Sequence, residues 1–497
     1  MRQPNDHSGL KRPAFEALSY AWGEFQEPVP IRVHERCKKF QPTTSSLHIQ
    51  PSLELALRHL RLEKSKRKVW IDAICINQVD TIEKSLHIPY MWTIYKYASR
   101  TIVWLGPERN NSGLAMQNLK HIARQSVLLM DGSRLPAPGN CDLDIYQDPY
   151  PLLSEKSTEA ITQLLDRQYF QRLWIISELS MSDIKAELHC GTDSMSLVDF
   201  RTSLKCLSSS PTRPPLALLK RLRDIKALTS PSSSLAFSVM LELYRHHKCA
   251  DALDKVYGLL SMASKEFKEC VDVDYKISCA SLYQAVFLAT VKFFERLDLL
   301  QACRLDFALE NRSSWVPDLS RSYKYWRPLE YCSGCSEPDF SVISGQILRV
   351  SGVKCCTIKR ISAKFTLDGH VRSNLLASLA SISEERSTYP TLESLQDVFC
   401  RTICLDRTDQ RYPGASNMEN KFKMGELKAL VKRSALESQD ISNDSDESLL
   451  SQLASLLDGR DFFETPCGHF GLGPGISEEG TKTTNLELAG KQWLTSG

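Results

Sequence analysis

The chain has 497 residues, 42% of them hydrophobic and 24% charged, and a formal net charge of +3. That length allows about two to four domains and a sizeable buried core. The charge is too small to point to a nucleic-acid or membrane-surface partner, and no apolar run approaches the roughly 18–20 residues of a membrane span.

Residues 1–14 form a polar stub without a secretory signal, so a cytoplasmic protein is expected. Phe15 to Gly23 (FEALSYAWG) reads as a strand broken at a glycine, Val29 to Val33 as a second short strand, and 34–50 as a basic, Ser/Thr-rich loop. Ser52 is placed to cap a helix with the stripe Leu53, Ala56, Leu57 and Leu60. Val69 to Ile76 is apolar apart from Asp72 and Ala73, which predicts a strand buried on both faces. Asp80 and Glu83 resemble a capping box. Ile88, Met91, Trp92 and Tyr95 then recur at helical spacing, with Pro89 kinking or restarting the helix. Thr101 to Leu105 is another strand, stopped at Gly106-Pro107. Strand, helix, strand in this order predicts a crossover, with the strands at 15–22, 69–76 and 101–105 adjacent in a parallel sheet.

A helix is expected over Leu114 to Leu129, then a Pro/Gly/Asp-rich loop, and helix again from Glu159. Phe170, Leu173, Trp174, Ser177 and Met181 share one helical face, and Lys185 to Cys190 reads as a strand. The alternation predicts an α/β domain with a mainly parallel sheet over 15–190. Beyond it a mostly helical region is expected over 195–436, with helices at 216–228, 235–246, 251–263, 278–296, 373–382 and 391–402. It includes a small β element at 340–362. A flexible linker at 437–447 and a C-terminal segment at 448–497, with a glycine-punctuated apolar stretch from Phe462 to Gly473, complete the division.

The candidate chemistry is sparse. There is no GxGxxG or GKS/T string, so a Rossmann or ATPase site is unsupported. Of the 16 cysteines several sit in apolar runs, Cys332 and Cys335 form a lone CxxC, and Cys467-Gly468-His469 has no zinc-spaced partner. These are read as structural thiols, and no metal is expected. Asp72 lies in an apolar run and needs a partner; it either lines a ligand site or caps a neighbouring loop. Asn77 and Gln78 follow the same run, at the carboxyl edge where open α/β sheets hold ligands, or else are turn residues binding their own backbone. Trp22 and Gly23 should reach that edge too, offering a flat ring and an accessible backbone. Glu178, one turn beyond the buried Trp174, either reaches the crevice rim or pairs with Arg172 or Lys185 near the surface.

Four blocks resemble, in order, those of the HET (heterokaryon incompatibility) domain of filamentous fungi: ALSYAWG (17–23), WIDAICINQ (70–78), YKYASRTIVWLG (95–106) and YFQRLWIISELS (169–180). DALDKVYGLL (251–260) and SWVPDLS (314–320) resemble segments that often follow it, while His87, Ser177 and Leu253 depart from the usual residues. The resemblance implies a TIR-like doubly wound fold and a role in fungal nonself recognition and regulated cell death. Some TIR proteins cleave NAD at the nicotinamide glycosidic bond with one glutamate of a W-x-x-x-E pattern, the spacing of Trp174 and Glu178. On that resemblance Glu178 is the candidate catalytic carboxylate, Trp22, Gly23, Asp72, Asn77 and Gln78 the substrate-binding set, and NAD a substrate with no resident cofactor. The alternatives are a non-catalytic adaptor acting by self-association or partner docking, and a decayed paralogue. The near-neutral charge, without a basic aromatic pattern, leads us to expect protein partners or self-association, with no nucleic acid and no membrane span.

Overall fold

The computed structural model describes residues 14–23, 26–35, 43–129, 133–139, 142–182, 185–212, 214–229, 237–295, 297, 299–300, 303, 313–320, 339–350, 360–364, 389–410, 422–436, 444–457, 460–474 and 494–495. The chain divides into two compact units, 1–282 and 283–497.

In the first unit the sheet forms around β1 (Glu16–Tyr20), whose residues Ala17 to Tyr20 are all buried. A second hairpin lies outside this sheet: β2 (Val29–Glu35) pairs antiparallel with β3 (Thr43–Ile49). The expected loop over 34–50 is therefore half strand. Its Ser/Thr residues are compatible with an exposed ladder, where Ile49 is buried and Ser45 to His48 are exposed. Helix α1 (Pro51–Leu60) follows, but Ser52 is not its cap. Gln50 holds that position with Pro51 starting the helix, and the Ser52 hydroxyl instead donates to the Trp22 carbonyl at 2.6 Å.

The apolar run after Arg67 is corrected more sharply. Strand β4 is only Val69–Trp70, and the chain then winds into a short helix, α2 (Asp72–Cys75). The carbonyl of Ile71 accepts from Ile74 and Cys75 N–H, and Asp72 Oδ1 accepts from its neighbour Ala73 N–H at 2.7 Å. Local bonding by an aspartate side chain thus competes with the strand ladder. Ile74 and Cys75 end up exposed, not buried on a strand.

Asp80 does cap α3 (Thr81–His87), accepting from Ile82 and Glu83 N–H at 2.9 and 3.1 Å. Glu83 reaches back one loop further than a capping box requires, to Asn77 N–H at 3.0 Å. Pro89 sits in a 3-10 turn (Ile88–Tyr90), after which α4 (Met91–Tyr97) restarts the helix and buries Met91 and Tyr95. Strand β5 (Arg100–Trp104) then pairs parallel with β1, as β4 does on the other side. The first three strands are parallel as expected, with β1 in the middle.

Helix α5 (Ser112–Ala123) ends earlier than expected, giving way to β6 (Ser126–Leu128), which pairs antiparallel with β7 (Arg134–Pro136). Short α6 (Leu143–Gln147) and α7 (Glu155–Leu165), capped by Ser154, lead to α8 (Trp174–Ser182). Strand β8 (Ala186–Cys190) pairs parallel with β5, and β9 (Asp193–Ser196) closes the sheet antiparallel before α9 (Leu197–Ser208). The order is β4-β1-β5-β8-β9.

Alternation along β1 assigns its two faces. Leu18 and Tyr20, with Ile102 and Trp104, pack on Leu53, Ala56 and Leu60 of α1. Ala17 packs on Ile76, Met91, Tyr95 and Ala98, with Trp174 and Met181 of α8 against them. Helices therefore cover both faces. Helices α10 (Leu216–Thr229), α11 (Phe237–Leu243) and α12 (Asp254–Leu260) follow close to the expected positions, and the short α13 (Lys265–Lys268) is an addition to them. Helix α14 (Cys279–Phe294) runs across the boundary between units.

In the second unit Phe340–Ile343 and Ile347–Val350 form a hairpin. Arg360–Lys364, Arg460–Glu464, Phe470–Pro474 and Leu494–Thr495 build an antiparallel sheet. The small β element expected at 340–362 is thus split between two sheets. Helices Leu395–Ile403, Met424–Leu436 and Asp444–Leu457 share a core of Tyr389, Phe399, Phe422, Leu453, Phe462 and Phe470. Residues 444–447 of the expected linker are helical; the helix expected at 373–382, 437–443 and Cys332 and Cys335 lie outside the described residues. Gly471 faces Phe463 across the ladder so closely that a Cβ there would lie 2.2 Å from Phe463 Cζ. Gly471→Ala is expected to cost the second unit about 2–3 kcal/mol in urea denaturation, because the ring must leave its position. An unchanged denaturation midpoint would place the ring elsewhere.

Among the described residues no helix is long and apolar enough to cross a membrane. Nor, among them, do three His, Cys, Asp or Glu side chains gather as a metal site.

Candidate functional site

Strand order locates the crevice. Strand β1 connects to β4 on one side and its neighbour β5 connects to β8 on the other, so the connections diverge at the carboxyl ends of β1 and β5. In open α/β sheets that divergence opens the ligand crevice. Four segments meet there: the end of β1 (Ser19, Tyr20, Trp22), the start of α2 (Asp72), Arg172 just before α8, and Glu178 within it.

Ser19 and Ala17 project to the α8 side. The Ser19 hydroxyl donates to Glu178 Oε2 and lies 2.7 Å from the Tyr169 hydroxyl. Further along the same face Thr101 Oγ1 and Ser182 Oγ are 2.7 Å apart, while Ser182 Oγ also meets the Glu178 carbonyl at 2.5 Å. Helix α8 is therefore seated on the sheet through a polar seam, as buried hydroxyls and carboxyls require. On the neighbouring helix, Tyr95 O–H donates to the Leu18 carbonyl at 3.2 Å.

Asp72 is held by Trp22 Nε1–H on Oδ2 at 3.1 Å and by Ala73 N–H on Oδ1. Arg172, whose Nη1 donates to the Tyr20 carbonyl, is the cation between the two acids. Burial raises the Glu178 pKa to about 7; Arg172 pulls it down, Asp72 pushes it up, and the Ser19 and Tyr95 hydroxyls lower it. Asp72 is likewise raised by burial against the pull of Arg172. On Arg172 burial acts downward, but Glu178 and Asp72 leave its pKa above the usual value. Tyr20, Tyr95 and Tyr169 are raised chiefly by burial, so all three stay neutral donors. The result is one carboxyl that exchanges a proton near neutral pH beside a permanent cation, a setting suited to acid–base or cation-stabilising chemistry.

Of the residues singled out in the sequence, Glu178, Asp72 and Trp22 converge here. Glu178 is not on an open rim: only 2% of it is exposed. Its charge partner is the half-buried Arg172; Lys185 is exposed. Gly23 follows Trp22 at φ +78°, a conformation that favours glycine, and its backbone faces Ser52. Gln78 Nε2 donates to the Asp72 carbonyl at 3.2 Å and so braces α2. Asn77 is exposed, and its Oδ1 accepts from Val79 N–H at 3.3 Å within its own turn. Ser19 and Tyr169 were not singled out. A serine inside the apolar string ALSY was the available signal, since a buried hydroxyl needs a partner.

A mainly parallel sheet covered by helices on both faces, with a carboxyl–guanidinium cluster at its carboxyl edge, defines an α/β domain. Residues 15–178 match the family model described as "Heterokaryon incompatibility protein (HET)", so this chain carries a HET domain over that segment. It is 26% identical over 426 residues to heterokaryon incompatibility protein 6, OR allele, of Neurospora crassa, the match covering 72% of this chain. The chain spans about 61% of that relative's length. No solved structure matches.

Proposed function

We propose that this chain acts in heterokaryon incompatibility as a cytoplasmic effector of fungal nonself recognition and regulated cell death. In this reading its HET domain is a TIR-like doubly wound module that cleaves NAD. The observation that supports the reaction is the enclosed Glu178 carboxyl beside Arg172, at the point where the strand connections diverge. Cleaving the nicotinamide glycosidic bond expels a neutral base and develops positive charge on the ribose, which one carboxylate can stabilise. In the structure Glu178 is covered by Tyr169, Tyr95 and Arg172, so turnover requires the Arg172–Tyr20 contact to open and admit the ribose. That closure keeps the carboxyl from substrate until a partner or a second copy engages the domain.

Glu178→Gln keeps the shape and removes the ionisable group. Induced expression of the wild-type chain is expected to lower cellular NAD and kill the cell, and the variant to leave NAD within about a tenth of uninduced cells, as loss of an essential group predicts. Equal NAD loss in both would exclude catalysis by Glu178. The 2% exposure of Glu178 favours a second reading, in which the cluster is an internal brace and the protein is a non-catalytic adaptor. Cell death by both forms with NAD unchanged would establish that reading.

A further inference from the structure

Residues 251–275 lie beyond the family match at 15–178, yet they are fastened to the helix that carries Glu178. Asp254, the first residue of α12, is 7% exposed. Its Oδ2 accepts from Trp174 Nε1–H at 3.1 Å, and its Oδ1 accepts from Tyr275 O–H at 2.6 Å. Trp174 is the first residue of α8, and Glu178 lies one turn further along. One turn into α12, Gly258 leaves room for the chain beneath: a Cβ there would lie 3.2 Å from Leu173 Cδ2 and 3.7 Å from Trp174 Cδ2. The stretch before α8 is tied down as well. Leu173 N–H donates to the Lys248 carbonyl at 2.8 Å and Lys248 N–H to the Gln171 carbonyl at 2.6 Å, on either side of Arg172. Tyr275 closes the clasp on α3: its N–H donates to Ser85 Oγ at 3.0 Å, and Lys84 Nζ lies 3.9 Å from its ring centre.

We propose that Asp254 is a positioning residue: through Trp174 it sets the seat of α8, and so places Glu178 and Arg172 against Ser19 and Asp72. The role rests on the reading of Glu178 as the functional carboxyl, but not on the reaction being NAD cleavage. Two donors on one buried carboxylate fix the indole in angle as well as distance, and buried donors and acceptors lose a full bond if it moves. The α12 segment is thereby an integral part of the HET domain's working unit, not a separate appendage.

The test reads Glu178 itself. Carboxyl carbon NMR of the full chain labelled at glutamate Cδ, with the Glu178 signal assigned by its loss in Glu178→Gln, follows its titration. The groups that face it are Asp72, Arg172, Tyr20, Tyr95, Tyr169 and Ser19. The wild-type midpoint is expected near 7. In Asp254→Ala it is expected to fall by about one pH unit or more as α8 loosens and water reaches the carboxyl. Asp254→Asn can still accept from Trp174 and donate to Tyr275, and is expected to restore the wild-type midpoint. Should Asp254→Ala not fold, Trp174→Phe keeps an aromatic ring but removes the N–H together with the fused pyrrole ring, and is expected to shift Glu178 in the same direction. The proposal is overturned by an unshifted Glu178 in folded Asp254→Ala or in Trp174→Phe, by an Asn variant that behaves as the Ala variant, or by a wild-type midpoint in the ordinary carboxylate range. None of these readings uses NAD, so failure of the proposed reaction leaves it standing.

Discussion

Arg172→Met is expected to destabilise the first unit by about 3–5 kcal/mol at pH 8, because it leaves two buried acids without their cation. It also strips the Tyr20 carbonyl of the donor it receives from Arg172. The loss should shrink as the pH falls. Glu178 has a folded pKa of about 7, above its ordinary 4.5, so its protonation favours the folded state. That contribution is complete below the ordinary value and is lost as pH rises through the folded one. Without Arg172 the main downward pull on Glu178 is gone, and the window in which stability falls extends further to the alkaline side. Urea denaturation at pH 8 and pH 5 checks this: a deficit equal at both values would mean that Arg172 acts by packing and not by charge.

Ile71→Asp should cost still more, by our expectation over about 4 kcal/mol, enough to unfold the domain. Ile71 is 5% exposed and packs with Leu18, Tyr20 and Leu53 on the α1 face of the sheet. A carboxylate there would lie among apolar side chains, and its neighbour Asp72 is already a buried acid. Circular dichroism of the purified variant should show lost helix at room temperature. A melting temperature within about 2 °C of wild type would instead mean the side chain is not in the core.

The sequence was most legible where pattern and local chemistry agree. The string EALSY reads as a strand, Asp80 as a cap and Gly106 as the stop after a strand; each occupies that place. It was least legible where a side chain redirects the backbone. The run Val69–Ile76 has a buried strand's composition, but Asp72 bonds its own neighbour and a helix starts two residues into the strand. Likewise Ser52 has a cap residue's chemistry, yet a nearby carbonyl at Trp22 claims its hydroxyl. At the candidate site, Glu178 was found through its spacing from Trp174. Its partners Ser19 and Tyr169 are 159 and 150 residues from their bonding partners, Glu178 and Ser19, and no local pattern reports such pairs.

One consequence follows from how the central sheet ends. At one rim stands a strand of two residues, Val69–Trp70; at the other, four residues, Asp193–Ser196, that run straight into a helix capped by Ser196. Neither rim offers a row of free amides long enough to recruit another chain by strand addition. Among the described strands of this unit the longer ladder is the separate β2–β3 hairpin, so the central sheet itself is left to contacts through its helical faces and loops. Contacts on those faces are set by residue identity instead of by a generic backbone ladder.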